Sequence, residues 1–346
     1  MKLKTSLKTK INGMSDTNLL LFITILVFFL MYLGAMIFQQ GGFLRTQTFF
    51  DILNDQAALI IVTCGMSLVM ITGGIDISVG GVVALVSMSC AVVLDYKGFS
   101  IPMAILLSLM IGLAFGLVQG YLVAYLEIQP FIVTLAGMFF ARGATTIVHT
   151  EPFNVANETF MKLKDTRIFI PLVGYTNPKT GKYVPAYLEI GVFVAILVVL
   201  ITFAVLRWTK KGRHFYAVGG NRQSAIMLGI NAKRTIFLSH VISGLFSGIA
   251  GFVYFLHIGS GSPSHASGME MDAIASSIIG GTMLTGGVGN VIGSLFGVLS
   301  LNTIKKIVSS AGLGEAWWTG ITTAAMLCLF LIIQSVVMAR KKSAAQ

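Results

Sequence analysis

Ten stretches of this chain are too apolar to face water, and most of them are long enough to cross a bilayer. They cover 18–38, 56–73, 80–94, 101–126, 130–149, 187–207, 235–257, 272–285, 289–307 and 318–338. A hydrocarbon core about 30 Å thick needs about 20 apolar residues per helix. Within lipid, every backbone polar group must be paired inside the segment or its closed sheet, and runs of this length select helices. The expectation is an all-α integral membrane protein of about ten transmembrane helices. The third and eighth stretches are short and are expected to be broken or re-entrant. Composition agrees: hydrophobic residues make up 55% and charged residues 11%, where a soluble domain carries roughly 25% charged. That excludes a soluble enzyme, a disordered regulator and a secreted disulfide scaffold. The first stretch is longer than a signal-peptide core and lacks an A-x-A site, so it reads as an uncleaved helix. Cys64, Cys90 and Cys328 sit inside apolar runs and read as small buried hydrophobes.

The formal charge of +11 reports orientation rather than a nucleic-acid site, because no soluble domain exists to carry a basic patch. Lys2, Lys4, Lys8 and Lys10 precede the first span, and Arg340, Lys341 and Lys342 follow the last. The 207–234 stretch adds Arg207, Lys210, Lys211, Arg213, Arg222, Lys233 and Arg234. With an even number of spans these all share one side, against only Asp16 and Glu127, while charges on the other side nearly cancel. The positive-inside rule then places both termini in the cytoplasm. The chain divides into a cytoplasmic N-terminal segment (1–17), a transmembrane domain (18–338) and a cytoplasmic tail (339–346). An extracytoplasmic loop, 150–186, is long, polar and punctuated by Pro152, Pro171, Pro178 and Pro185. The cytoplasmic loop 208–234 is the other large soluble feature. Taken alone, it reads equally as a basic linker against lipid headgroups or as a docking segment.

Residues 70–87 (MITGGIDISVGGVVALVS) align with 283–300 (MLTGGVGNVIGSLFGVLS). Identities are Met70/Met283, Thr72/Thr285, Gly73/Gly286, Gly74/Gly287, Gly80/Gly293 and Ser87/Ser300. The copies lie six spans apart, so both point the same way, a parallel repeat of the kind transporters use. T-G-G should break a helix at or within the membrane, where freed backbone groups need protein or a water-filled cavity. Asp76 and Ser78 in one copy and Asn290 in the other are the polar residues at the breaks. They either line a solute path or, for Asp76, cap the next helix, and the two readings are compatible. Gly112, Gly116 and Gly120, and again Gly289, Gly293 and Gly297, have the spacing that lets membrane helices pack closely. Arg142, inside the fifth span, is expected to face the bundle interior.

Several chemistries are missing. The string nearest to a P-loop, Gly174 to Tyr183, has the wrong spacing and puts Tyr183 where a magnesium-binding hydroxyl belongs. The run Gly286-Gly287-Val288-Gly289 has Ile292 where a dinucleotide fingerprint needs glycine. His149, His214, His240, His257 and His265 are scattered, with no metal pair. Asp76 is the acidic residue inside a span, apart from Asp272 and Glu189 at span ends, which is thin for a proton relay.

GGIDISVG (73–80), FIVTLAGMFFARG (131–143), AVGGNRQSAIMLGI (217–230) and MDAIASSIIGGTMLTGGVGNVIGSLFG (271–297) together carry a resemblance. The chain resembles the permease subunits of bacterial ABC importers for monosaccharides, the ribose/galactose/xylose class, over about residues 20–338. TLAGMFFARG and AWWTGI (316–321) look closest to galactofuranose permeases. The loop around TNPKTGKY is longer than in that family. The resemblance implies a homo- or heterodimer of permeases in the inner membrane and a cytoplasmic ABC ATPase beneath. It implies an extracytoplasmic sugar-binding protein above. No cofactor is expected in this chain, since ATP and magnesium would sit on the ATPase. Residues 213–230 look like the family's coupling segment, with Gly219, Gly220 and Asn221 making a turn. Ser224–Gly229, with Ala225 inside it, would form a short helix docked on the ATPase. Expected liners of the path are Phe131, Ser78, Thr285 and Asn290 beside the breaks at Gly73, Gly74, Asp76, Gly80, Gly286 and Gly287. An ion- or proton-coupled secondary carrier for a small polar solute is the competing reading, since repeats and glycine breaks fit both.

Overall fold

The computed structural model describes residues 16–38, 42–176, 183–313 and 315–345. Each of the ten apolar stretches has a helix. These are α1 (Asp16–Phe38), α2 (Thr46–Ile71), α3 (Val79–Asp95), α4 (Ile101–Ala124) and α5 (Pro130–Val148), then α7 (Ile190–Trp208), α10 (Ala232–Ile258), α11 (Met269–Ile279), α12 (Val291–Ser310) and α13 (Ala316–Ala345). Between α5 and α7 lie β1 (Phe153–Asn154), α6 (Glu158–Lys164), β2 (Arg167–Thr176) and β3 (Tyr183–Glu189). Between α7 and α10 lie α8 (Lys210–Gly220) and α9 (Arg222–Met227), and β4 (Ser260–Gly261) follows α10. Seven of the ten are long and apolar enough to cross a membrane. The α3 helix and Trp317–Ile333 of α13 are shorter apolar helices. The remaining one, α11, has 11 residues and rises only about 16 Å, half a bilayer core. The chain is therefore a multi-pass, all-α membrane protein with one half-length helix, at the eighth position.

The bundle has two ends. One carries the antiparallel β2–β3 hairpin and the β1–β4 pair, and the other carries α8 and α9. Thr17 and Asn18 of α1 border the same cleft as Arg207 and Tyr216, so the start of α1 lies at the α8–α9 end. The segment bearing Lys2 to Lys10 and part of the outer loop, 177–182, lie outside the described residues.

The proline-punctuated stretch 150–186 carries the β2–β3 hairpin. Ile168↔Leu188 and Phe169↔Tyr187 continue a ladder that Pro171 interrupts, and the register slips between Ile170 and Gly174. A proline lacks the N–H a ladder needs, so it is placed at the irregularity. Likewise α2 starts at Thr46, ten residues earlier than the apolar run. Its polar first turns are held by the hairpin. Gln47 Oε1 accepts from Tyr187 N and Asn54 Oδ1 from Glu189 N, both at 2.9 Å.

Helices α2 and α3 form the buried axis of the bundle. The G-x-x-x-G packing is seen at both sites. A Cβ on Gly116 would lie 2.8 Å from the His240 carbonyl and 2.9 Å from Val241 of α10, and Gly112 faces Gly244 and Gly248. On α12, Gly293 and Gly297 face Gly280 and Ser276 around α11. Gly116→Leu should therefore force α4 off α10. We expect the variant to lose its monodisperse peak on size exclusion in detergent. The same change at Gly34, whose side-chain position is open, should be tolerated.

Candidate functional site

The first break begins where α2 ends. Gly73 has φ +85°, a conformation that costs a side-chain-bearing residue about 1 kcal/mol or more. The chain then passes Asp76 and Ser78 before α3 starts. Asp76 is buried, and its carboxylate accepts three bonds: Ser78 N at 3.1 Å, Ser78 Oγ at 2.6 Å and Ser243 Oγ of α10 at 2.7 Å. Ser78 Oγ also lies 3.1 Å from the Gln119 amide oxygen of α4. Asp76 thus ties the start of α3 to α10, and both it and Ser78 are shut off from solvent in this conformation. Ser243 and Gln119 carry no sequence signal, since isolated polar residues on apolar helices have many possible faces.

The second break follows α11. Gly281, Gly286 and Gly287 have φ of +88°, +81° and +74°. Asn290 Oδ1 accepts from Ile292 N at 2.9 Å and caps α12. The copies share a left-handed glycine, Gly73 and Gly286, and a helix following it, and they differ at the next position, where Gly287 is left-handed and Gly74 is not.

The α8 helix joins the two breaks. Gly286 approaches both Gly73 and Gly219, and Gly287 packs on Gly220. Gly287 N donates to the Ile71 carbonyl at 2.9 Å. Tyr216 of α8 donates to the Gly289 carbonyl at 2.9 Å, and burial pushes its phenol up to about 12. Residues read as two separate sites, the breaks and the coupling segment, therefore form one contact at the α8–α9 end.

The turn in this segment differs from expectation. Gly219 and Gly220 are the last residues of α8, and Asn221 alone makes the turn, its Oδ1 accepting from Ser224 N at 2.8 Å. Gly219 is needed for approach rather than for turning: a Cβ there would collide with the Ile71 carbonyl and lie 2.7 Å from Gly287 N. The short helix is Arg222–Met227, and Gly229 (φ +77°) closes it. Ala225 turns inward against Val218 and Ala232. Met227 and Leu228 point out, 85% and 78% exposed, and on the same short segment and the start of α10 Arg222 and Lys233 pair with Glu127 at 3.0 and 3.3 Å. The hydrogen bond from Lys233, then its charge and those of Arg222, hold the Glu127 carboxyl below its usual range.

Thr285 is exposed in the second loop, and Gly74 is buried near His240 and Pro130. Gly80, at the start of α3, makes room for Glu270 of α11. Phe131 lies on the first turn of α5, whose Pro130 and Thr134 border the first break, and its own side chain is 47% exposed. Arg142 faces inward onto backbone carbonyls, donating to those of His265 and, at 2.9 Å, Ala266.

Residues 48–331 match the family model described as branched-chain amino acid transport system / permease component. The chain is 37% identical to the inner membrane ABC transporter permease protein YjfF of Escherichia coli, over 93% of each chain. It is 35% identical to the fructose import permease protein FruG of Bifidobacterium longum, over 91% of this chain and 90% of that one. It is 30% identical to the ribose import permease protein RbsC of Escherichia coli, over 85% and 87%. No solved structure matches significantly.

Proposed function

The chain belongs to the family of permease components described for branched-chain amino acid transport systems, and from that premise we propose that it is the membrane-spanning subunit of an ATP-driven ABC importer for a monosaccharide. It sits in the bacterial inner membrane with the α8–α9 end in the cytoplasm. It pairs with a second permease and takes a pentose or hexose, galactofuranose first among them, from an extracytoplasmic binding protein. ATP is hydrolysed on a separate ATPase docked on α9.

The observation that carries this reading is the bridge from α9 to both breaks. Met227 and Leu228 offer two adjacent, strongly exposed apolar side chains, which suit a protein interface. The α8 helix behind them touches Gly286, Gly287 and the end of α2. Movement of a docked ATPase would therefore be delivered to both helix breaks at once. Such a bridge is what an importer needs, because ATP must bias two states of the path. The sugar class is favoured by the relatives named for fructose and ribose import. It is also favoured by the hydroxyl-rich interior, where Ser67 meets Ser277 and Ser294 at 3.1 and 2.7 Å.

The test is uptake of labelled galactose, ribose, xylose, fructose and leucine by cells expressing the chain with its neighbouring genes. ATP-dependent uptake of one sugar, with none of leucine, is expected. Uptake of leucine and of no sugar would overturn the sugar assignment.

A further inference from the structure

Between β4 and α11 the chain runs down α3 without forming a helix. Gly261 packs on Met88 and Ala91, and Ser87 Oγ meets His265 Nδ1 at 3.3 Å. The Ala266 carbonyl and the Glu270 side chain reach Gly80. From Asp95, the hairpin-side end of α3, Met88 lies about 10 Å down and Gly80 about 22 Å down. Residues 261–268 therefore descend to the middle of the bilayer as irregular backbone. At that depth irregular backbone persists only inside protein or beside a water-filled cavity.

Ser264 and Ser267 are exposed, as is Met271 on the first turn of α11. Next to them Asp272 holds Lys305 of α12 through both carboxylate oxygens, each at 2.7 Å. These side chains are 26% and 23% exposed. Ion pairs within a membrane face the bundle interior or water, not lipid. The segment is also fixed under strain. Ala266 has φ +51°, its N–H donates to the Tyr254 hydroxyl at 3.2 Å, and its carbonyl accepts from Arg142. A non-glycine residue in that conformation is held by its surroundings.

We propose that Ser264, Ser267, Met271 and the Asp272–Lys305 pair form the solute-facing wall of the path, with the ion pair as its recognition element. The pair is self-neutralised, so it attracts no net charge. Yet it offers donors on Lys305 and acceptors on Asp272 side by side, which suits a hydroxyl that both donates and accepts. The substrate class it fits is a neutral polyhydroxyl solute, an assignment that rests on the sugar-import reading. It moves recognition away from Asp76 and Ser78, which are sealed.

The test uses the full chain with its partners, in a Cys328→Ser background that leaves the buried Cys64 and Cys90. Ser267→Cys and Met271→Cys are treated in cells with a charged, membrane-impermeant methanethiosulfonate. The control is Leu200→Cys, at similar depth on the exposed apolar face of α7. Both test positions should react at least tenfold faster than Leu200→Cys, and labelling Ser267→Cys should block sugar uptake without releasing the ATPase. Reaction no faster than the control, or full uptake after complete labelling, would overturn the assignment. The labelling arm needs no sugar, so it can fail or succeed independently of the import reading.

Discussion

Gly219→Ala is expected to remove at least nine-tenths of sugar uptake while leaving the chain in the membrane. The new Cβ would overlap the Ile71 carbonyl and crowd Gly287 N. Both neighbours are backbone, so neither can rotate away, and overpacking of this kind costs about 1–3 kcal/mol. Relief requires α8 to withdraw, which breaks the 2.9 Å bond from the Tyr216 hydroxyl to the Gly289 carbonyl and opens the close approach of Gly219 and Gly220 to Gly286 and Gly287. The link from α9 to the two breaks would be lost, although α9 itself would still present Met227 and Leu228. Uptake should therefore fall while co-purification of the ATPase persists. Gly34→Ala, on an open face of α1, should match the parent or gain slightly in stability. Parental uptake by Gly219→Ala would show that force does not pass through this contact.

Asp76→Ala is expected to lower the thermal unfolding midpoint in detergent by several degrees, more than any change at the exposed break residue Thr285. The carboxylate is buried and serves Ser78 N, Ser78 Oγ and Ser243 Oγ. Removing it strands Ser78 N and Ser243 Oγ, each costing about 1–3 kcal/mol when left unpaired, while Ser78 Oγ keeps the Gln119 oxygen, and it empties part of the space between α3 and α10. Asp76→Asn should be far milder. One oxygen still accepts from Ser78, and its amide can donate to Ser243 Oγ. Ser243→Ala in the Asp76→Ala background should cost less than in the parent, because residues sharing a hydrogen bond are not additive. An unchanged midpoint in Asp76→Ala would mean that Asp76 does not hold the start of α3.

Much of this architecture is legible in the sequence. Helix positions follow from apolar length, because lipid permits few alternatives. The T-G-G breaks follow from glycine, and the tight crossings follow from its spacing. What is hidden depends on partners distant in sequence. The polar first turns of α2 look unlike a membrane helix until the hairpin supplies Tyr187 and Glu189. The hairpin is masked by Pro171 and Pro185, because the register irregularity that accommodates the first is not written in local pattern. The eighth apolar stretch extends to residue 285, yet its helix stops at Ile279, where Gly280 meets Ser294 and Gly281 turns left-handed. At the site, the glycines of α8 look like turn formers. Their use for close approach becomes visible only with the breaks packed against them. Asp272 and Lys305 lie 33 residues apart, and no spacing rule joins them.

If α8 and α9 couple a separate ATPase to the helix breaks of this permease, that ATPase should accompany the tagged chain through purification in mild detergent and be identified there by mass spectrometry. We predict recovery of a P-loop ATPase, lost when Met227 and Leu228 are both replaced by aspartate or when 213–230 is deleted, but kept in Gly219→Ala. Recovery of the chain alone, under conditions that hold assembled ABC complexes together, would contradict the account and favour an ion- or proton-coupled carrier.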